Sequence, residues 1–304
     1  MKQLVILSGK GGTGKTSISA AFAHLVNCNP QAPAAILVDA DVDAANLSLI
    51  MQPNQSEPHD FWGGSLAEID RESCTGCGAC IQVCRYDAIL PDSNDPQKKQ
   101  IDPVACDGCA ACIYACPEGA IRMVPQQEGI WFQSQTPYGT LFHAELFAGR
   151  ENSGKLVTLV KQHARLMADD GNIPLVILDG PPGIGCPVIS ACAGSDYGLV
   201  VTEPSLSGIH DLKRAIGMLQ HFHIPAAVCI NKADIYPEGA SLIKEYAESV
   251  GINVVGEIPY DQNVLQSMLQ ARPITEIFPS SPSAIAIRNI WIKLASMLLE
   301  NRES

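Results

Sequence analysis

The sequence is short of basic residues: 20 Lys and Arg stand against 32 Asp and Glu among 304 residues, a formal net charge of −12. A protein that binds nucleic acid without sequence preference needs excess cations to neutralise phosphates, so we expect no nucleic-acid partner. No run reaches the roughly 18 consecutive apolar residues of a membrane span, and we expect no stable membrane insertion. The first residues lack both the charged and the apolar part of a secretory signal, so we expect a cytoplasmic protein.

Cysteine, in contrast, is abundant. The chain has twelve cysteines, and its 46% hydrophobic and 17% charged residues suit a globular protein with a large core. In a protein without an export signal, so many cysteines predict metal or redox chemistry rather than disulfides. The length allows one large domain or two smaller ones.

A glycine-rich loop follows the first apolar run, 4–7, and precedes a predicted helix over 17–26. Its spacing, G-x-x-x-x-G-K-T, is typical of a loop whose backbone N–H groups surround phosphate oxygens. Lys15 is predicted to reach the β- and γ-phosphates, and the Thr16 hydroxyl to bind Mg²⁺. A glycine-rich turn with an incidental lysine is the alternative. The candidate nucleotide-binding residues are Gly9, Lys10, Gly11, Gly12, Thr13, Gly14, Lys15, Thr16 and Ser17.

Polar residues also follow three later strand-like runs. Asp39 and Asp41 follow the run 34–38, Asp179 follows 175–178, and Asn231 follows 226–230. Because ligands of parallel sheets bind beyond the carboxyl ends of the strands, we expect these side chains at one edge. For a single acidic residue, a helix cap is the alternative.

Lys10 extends the loop motif to K-G-G-x-G-K-T, which resembles the deviant Walker A motif of the MinD/ParA/Mrp class, the class of the nitrogenase iron protein. The resemblance implies an α/β fold, with a mostly parallel sheet flanked by helices, and a homodimer that encloses ATP. In that dimer Lys10 reaches the partner's nucleotide; a solvated loop lysine is the alternative. By the same resemblance Asp39 and Asp179 order Mg²⁺, and the catalytic residues are Lys10, Lys15 and Asp41, the last positioning or activating the attacking water.

The same family resemblance suggests how the base is bound. Asn231 would recognise adenine, with Lys232 beside it and Pro259 and Tyr260 near the base. The run from Asn231 to Asp234 is also similar to the N-K-x-D motif of GTPases, which leaves guanine as an alternative. The deviant Walker A motif favours ATP.

Eight cysteines form two sets with one spacing. Each cysteine of the second set lies 32 residues after its counterpart, which indicates an internal duplication. The spacing is that of bacterial two-cluster ferredoxins, which hold two 4Fe-4S clusters; two zinc sites are the alternative, although zinc usually takes paired C-x₂-C units. In the ferredoxins each fourth cysteine crosses to the other cluster. This resemblance implies Cys74, Cys77, Cys80 and Cys116 for the first cluster, and Cys106, Cys109, Cys112 and Cys84 for the second.

These patterns predict an ATPase domain over 1–58 and 125–304, interrupted by a bacterial-ferredoxin-like α+β domain over 59–124, with 51–66 mostly loop. The expected function is an Mg²⁺-dependent ATPase that couples its nucleotide state to electron transfer with a redox partner. Residues 59–124 carry ten acidic and five basic side chains, which favours a partner with a basic surface.

The alternative function is an iron–sulfur cluster carrier of the Mrp type. Such carriers bear a C-P-x-C pair, whereas this chain has Cys186 followed by Pro-Val-Ile. Cys186 occupies a position that ligates a cluster between subunits in the nitrogenase iron protein. Because no second cysteine lies between Cys116 and Cys186, we expect a buried or redox-accessible thiol instead.

Overall fold

The computed structural model describes residues 1–29, 34–150 and 153–299, and it divides the chain into two compact units. The first unit contains residues 1–59, 130–146 and those from 153 onward; the second contains 60–129 and a short segment that begins at Phe147. Two of the crossings between the units, at 59/60 and at 129/130, lie inside long strands. The return lies at 129/130 instead of the expected 124/125, because the strand that begins at Ile121 continues without interruption to Thr136.

The elements alternate along the chain as expected for an α/β protein. The strands are β1 Lys2–Ser8, β2 Ala35–Asp39, β3 Gln55–Ile69, β4 Ile89–Pro91, β5 Lys99–Ile101, β6 Ile121–Thr136, β7 Gly139–Leu146, β8 Leu175–Pro182, β9 Tyr197–Thr202, β10 Ala226–Asn231 and β11 Asn253–Ile258. The helices are α1 Lys15–Asn27, α2 Leu47–Met51, α3 Ala79–Val83, α4 Ala111–Ala115, α5 Ser153–Asp170, α6 Cys186–Cys192, α7 Leu206–His221, α8 Pro237–Ser249, α9 Gln262–Leu269, α10 Ile274–Ile277 and α11 Pro282–Leu299.

One nine-stranded sheet has the order β11-β10-β9-β1-β8-β2-β7-β6-β3, and every pair from β11 to β7 is parallel. This confirms the expected α/β fold with a mostly parallel sheet. Residues 4–7 of β1 are all at most 1% exposed. Since successive strand residues face opposite sides of a sheet, both faces are covered here, which explains the uninterrupted apolar runs.

Helices pack along this sheet and bury its apolar faces. Phe22 of α1 and Trp291 of α11 have ring centroids 5.0 Å apart within one core cluster. Ile287, Ile290 and Leu294 of α11 are buried in the same cluster, so this apolar helix is used for packing. None of the described helices combines the length and apolar character needed to cross a membrane.

The second unit repeats its backbone along with its sequence. The amide of Cys74 donates to the carbonyl of Asp70, and that of Cys106 to Asp102, both at 3.0 Å. Helices α3 and α4 occupy equivalent positions, and β4 pairs with β5 in antiparallel register. The small core consists of Ala67, Cys80, Ile89, Cys112 and Ile121, which includes two pairs related by the 32-residue repeat.

The prediction that 51–66 is mostly loop is wrong. Strand β3 begins at Gln55 and continues to Ile69. It is the last strand in the order of the sheet, and residues 55–58 are exposed. An exposed strand at a sheet edge does not need the apolar alternation by which strands are recognised, so the sequence carried no signal for it.

Candidate functional site

The glycine loop lies between the carboxyl end of β1 and the first turn of α1. Gly14 precedes α1 with φ of 90°, a conformation that favours glycine, and no side chain caps the helix there. The first amides of a 13-residue helix are thus without a side-chain acceptor. A Cβ atom on Gly11 or Gly12 would meet no atom within 4 Å, so this side of the loop is open to a ligand.

Lys15 lies at the centre of a buried polar cluster. Its Nζ contacts Oδ1 of Asp179 at 2.8 Å, and the pair is almost inaccessible, with 6% and 1% of the two side chains exposed. The hydroxyl of Ser19 donates to the same carboxylate oxygen at 2.8 Å. Ser19 was not a predicted site residue, although it lies one helical turn after Lys15. The register Asp39–Asp179 between β2 and β8 brings the two predicted Mg²⁺ residues to one edge of the sheet.

Two buried polar atoms in this cluster have no hydrogen-bond partner among the described residues: Oδ2 of Asp179 and Oγ1 of Thr13. Buried polar atoms are normally hydrogen-bonded, and each unpaired one needs an explanation. A carboxylate oxygen suits a hydrated Mg²⁺ ion, and a hydroxyl in a glycine loop suits a phosphate oxygen. The donor set therefore fits a magnesium–nucleotide complex. Thr16 is half-buried in the first turn of α1.

Asp39 is fully buried, and both carboxylate oxygens accept backbone hydrogen bonds. Oδ1 accepts from the amide of Asp41 at 3.1 Å, and Oδ2 from that of Leu47 at 2.9 Å, the first residue of α2. Burial and the neighbouring charge of Asp179 raise the pKa of Asp39 to about 7. Burial also raises the pKa of Asp41, which is half-buried. Asp39 thus anchors a helix at the same edge where it was predicted to help order Mg²⁺.

The raised pKa of Asp39 predicts a pH dependence of the nucleotide-free protein. Between its ordinary pKa and about 7, folded Asp39 keeps a proton that the unfolded chain releases, so stability falls as pH rises through this window. Asp39→Asn cannot ionise and removes this slope. Denaturant titrations between pH 5 and 7 should show that the unfolding free energy of the wild-type protein falls by about 2 kcal/mol relative to that of Asp39→Asn. Asp43→Asn, at an exposed position, should keep the wild-type slope; parallel wild-type and Asp39→Asn curves would contradict this prediction.

Lys10 is held within its own chain. Its Nζ lies 2.6 Å from Oε1 of Glu203 and donates to the hydroxyl of Ser207 at 3.1 Å. The other oxygen of Glu203 lies 3.3 Å from Nζ of Lys232. Partial burial alone would raise the pKa of Glu203, but hydrogen bonds and charge from the two lysines lower it overall. Glu203 was not a predicted site residue; its position directly after β9, at the carboxyl edge, is the signal that could have found it.

Asn231 and Lys232 contact the glycine loop rather than an open pocket. The amide of Asn231 donates to the carbonyl of Thr13 at 2.7 Å, and Nζ of Lys232 donates to the carbonyl of Gly12 at 3.2 Å. A Cβ atom on Gly14 would lie 2.3 Å from the Asn231 amide nitrogen, so glycine is needed for this approach. The end of β10 therefore holds the loop in shape.

Pro259 lines a cavity of about 400 Å³ at the carboxyl ends of β10 and β11, and Tyr260 follows it with its side chain exposed. The amide of Tyr260 donates to Oδ1 of Asp234 at 2.6 Å. Asp234 and Ala233 line the same cavity. The predicted base-binding residues thus lie at the same sheet edge as the loop, and the carboxylate of the N-K-x-D sequence is already engaged.

The eight cysteines of the second unit line two separate cavities. The fourth cysteine of each sequence set lies with the first three of the other set. The first cavity has Cys74, Cys77, Cys80 and Cys116, and the second has Cys84, Cys106, Cys109 and Cys112.

The spacing of these thiols bears on what they could hold. Four thiolates around one zinc ion, at about 2.3 Å each, would lie within about 4 Å of one another. In the part of the chain that the structure describes, no three His, Cys, Asp or Glu side chains are close enough to hold a single metal ion. Four thiols line each cavity, which is the number of ligands that a 4Fe-4S cluster takes.

The remaining cysteines differ in exposure. Cys192 and Cys229 are fully buried, as expected of core residues. Apolar neighbours in the sequence predict a core position for Cys28 as well as for these two cysteines, but Cys28 is exposed at the end of α1, so that prediction is wrong. Cys186 is exposed at the first position of α6.

Comparison with known proteins adds to this geometry. A family model described as the CobQ/CobB/MinD/ParA nucleotide binding domain matches residues 4–274. An uncharacterised protein of Methanocaldococcus jannaschii is 33% identical over 230 residues, which cover 76% of this chain and 78% of that protein. An iron-sulfur cluster carrier protein of Aquifex aeolicus is 28% identical over 144 residues, 43% of this chain and 39% of its own length.

Among solved structures, the septum site-determining protein MinD of Pyrococcus horikoshii, in complex with Mg-ADP, aligns with a TM-score of 0.61. The alignment covers 100% of this chain and 99% of that one at 16% identity. This likeness shows a shared fold, in agreement with the parallel sheet.

Proposed function

The chain belongs to the CobQ/CobB/MinD/ParA nucleotide-binding domain family. We propose that it is an Mg²⁺-dependent ATPase that couples its nucleotide state to electron transfer through two 4Fe-4S clusters. The observation that carries the proposal is the division of eight cysteines into two sets of four, each lining its own cavity, in a chain with a glycine loop and unpaired buried polar atoms.

The nucleotide half of the proposal rests on the glycine loop. Its amides and the N-terminus of α1 would bind the phosphates, and Oγ1 of Thr13 would gain a partner. The cation of Lys15, now paired with Asp179, would move to the β- and γ-phosphates. Asp179 would then hold hydrated Mg²⁺ together with Thr16.

Hydrolysis would use groups beside the loop. Asp41 lies at the same edge as Asp39, half-buried, with a pKa raised by burial, as befits a group that orients or deprotonates water. Lys10 would stabilise charge on the nucleotide of a second copy of the chain, which requires its release from Glu203. We propose a homodimer through this face.

ATP is the proposed nucleotide. Asp234 would be the residue that distinguishes guanine, yet it accepts a hydrogen bond from the backbone of Tyr260. Asn231 supports the loop, while Pro259 and Tyr260 lie at the same sheet edge, where the base of a nucleotide bound to the loop would be placed. The deviant Walker A motif with Lys10 favours ATP over GTP.

The cysteine cavities form the second half of the proposal. The four cysteines of each cavity would supply the ligands of a cubane cluster. The clusters, when bound, supply one-electron redox chemistry. Cys80 and Cys112 are buried in the small core and hold this site rigidly, while Cys77 and Cys109 are exposed. The acidic excess of this region favours a redox partner with a basic surface.

The test is the rate of ATP hydrolysis by the anaerobically purified protein, measured with the clusters oxidised and again after reduction with dithionite. Coupling free energies of typical size predict rates that differ by about fivefold or more. A double variant, Cys77→Ser with Cys109→Ser, serves as the matched control and should hydrolyse ATP at one rate under both conditions. Equal rates in the wild-type protein would refute the coupling.

A second candidate is an iron–sulfur cluster carrier, because a relative with that name matches 43% of the chain. A carrier gives up iron, whereas an electron-transfer protein keeps it. Incubation of the reduced protein with an apo-ferredoxin, followed by separation and iron analysis of both, distinguishes the two. Iron that moves to the acceptor, with loss from the donor, would favour the carrier.

A further inference from the structure

The two cavities of the second unit can be compared residue by residue, because the duplication relates them. Eleven of the twelve residues that line the first have a counterpart 32 residues away in the lining of the second. The cysteines and most apolar residues are conserved between the two linings. Three pairs differ in charge or polarity: Thr75 and Asp107, Lys99 and Ala67, and Glu118 and Tyr86.

The first cavity has a cation in its wall. Lys99 is half-buried on β5, whereas Glu118 is exposed. Charges in contact with water are strongly screened, so Lys99 has the greater influence on the cavity. Two further basic residues lie outside the lining, one shortly after β3 and one directly before β5: Arg71 pairs with the buried Asp92, and Lys98 donates to the carbonyl of Arg71.

The second cavity has an anion instead. Asp107 is the only charged residue in its lining, and Tyr86 is its hydrogen-bond donor. Asp107 is exposed, so its charge is screened more strongly than that of the half-buried Lys99 and its effect on a cluster is expected to be the smaller of the two. The counterpart of Lys99 is Ala67, which has no charge to offset Asp107. Arg85 is adjacent to Tyr86 in sequence but exposed and outside the lining.

We propose that Lys99 and Asp107 set the reduction potentials of the two clusters apart, with the cluster of the first cavity the more easily reduced. The inference rests on the proposed function, since it needs a cluster in each cavity. A nearby cation stabilises an added electron and a nearby anion destabilises it, and local charge is a main determinant of cluster potential. The sequence repeat supplies the same four cysteine ligands to each cluster. The charges of these two residues would then make the two reduction potentials differ.

The test is an anaerobic redox titration of the whole protein, followed by electron paramagnetic resonance. The two clusters of the wild-type protein should be reduced in two separate steps. The first electron should favour one cluster by about tenfold, which corresponds to about 59 mV for a one-electron couple. Lys99→Ala and Asp107→Thr each copy the counterpart residue of the other cavity. Lys99→Ala should lower the potential of the higher step, Asp107→Thr should raise that of the lower step, and the double variant should bring the steps together.

Controls keep the outcomes separate. Lys213→Ala makes the same charge change in the first unit, on α7, and should leave both steps in place. If an alanine or threonine variant loses iron, Lys99→Gln and Asp107→Asn remove the same charges at nearly constant size. A wild type with about eight irons per chain whose steps coincide, or a Lys99 variant that shifts the lower step, would overturn this inference alone. A wild type without iron would overturn the proposed function as well.

Discussion

Anaerobically purified Cys109→Ser is expected to contain about four iron atoms per chain, against about eight in wild type. Cys109 lines the second cavity and is exposed, so serine should remove a ligand without disturbing the small core. Cys77→Ser, at the equivalent exposed position of the first cavity, should give the same loss from the other cluster. Iron analysis and visible absorption near the charge-transfer band measure the effect, and the combined variant should be nearly free of iron.

The matched controls are the exposed thiols outside both cavities. Cys28→Ser and Cys186→Ser should retain the wild-type iron content, because neither residue lines a cysteine cavity. A loss of iron in Cys186→Ser would instead indicate a cluster shared between subunits. Full iron content in Cys109→Ser would contradict the assignment of the second cavity.

Lys15→Ala should lower the rate of ATP hydrolysis at least about 100-fold, because it removes a cation from the transferred phosphate. It should also destabilise the nucleotide-free protein by about 3 kcal/mol, since the buried carboxyl group of Asp179 would lose its cationic partner. Enzyme assays and denaturant titrations measure the two effects separately.

Lys2→Ala provides a control of the same chemistry. Lys2 pairs with Asp196 at 3.3 Å, but both side chains are substantially exposed. Breaking such a pair should change the unfolding free energy by less than about 1 kcal/mol and leave hydrolysis intact. Similar losses of stability in Lys2→Ala and Lys15→Ala would show that the burial of the Lys15–Asp179 pair has no energetic consequence.

Local sequence was sufficient for features in which neighbouring residues make the structure. The glycine loop, its flanking strand and helix, and the buried strands of the sheet all follow from short patterns. The cysteine repeat, with the ferredoxin resemblance, also predicted which cysteines share a cavity, since Cys84 and Cys116 lie with the opposite sets. Whether those cavities hold clusters stays a prediction for the iron analysis.

Other features depend on residues distant in sequence and left no local pattern. Glu203 approaches Lys10 and Lys232 only because three strands end at one edge of the sheet. The amide of Asn231 bonds the loop backbone in this structure, a contact that its motif did not suggest. Strand β3 was missed because its exposed end has no alternation of apolar residues. Each was set by tertiary contacts that composition and periodicity do not report.

The ion pair between Glu203 and Lys10 has a consequence for self-association. Because this lysine is already paired within one chain, the docking of two copies in the proposed homodimer would exchange one ion pair for another instead of adding a new one. The net free energy of dimerisation would then be a small difference between the energies of two ion pairs. The charge of the bound nucleotide could decide the sign of that difference. The dimer would thus dissociate readily when a single phosphate leaves, which suits a protein that cycles between monomer and dimer rather than one that stays assembled.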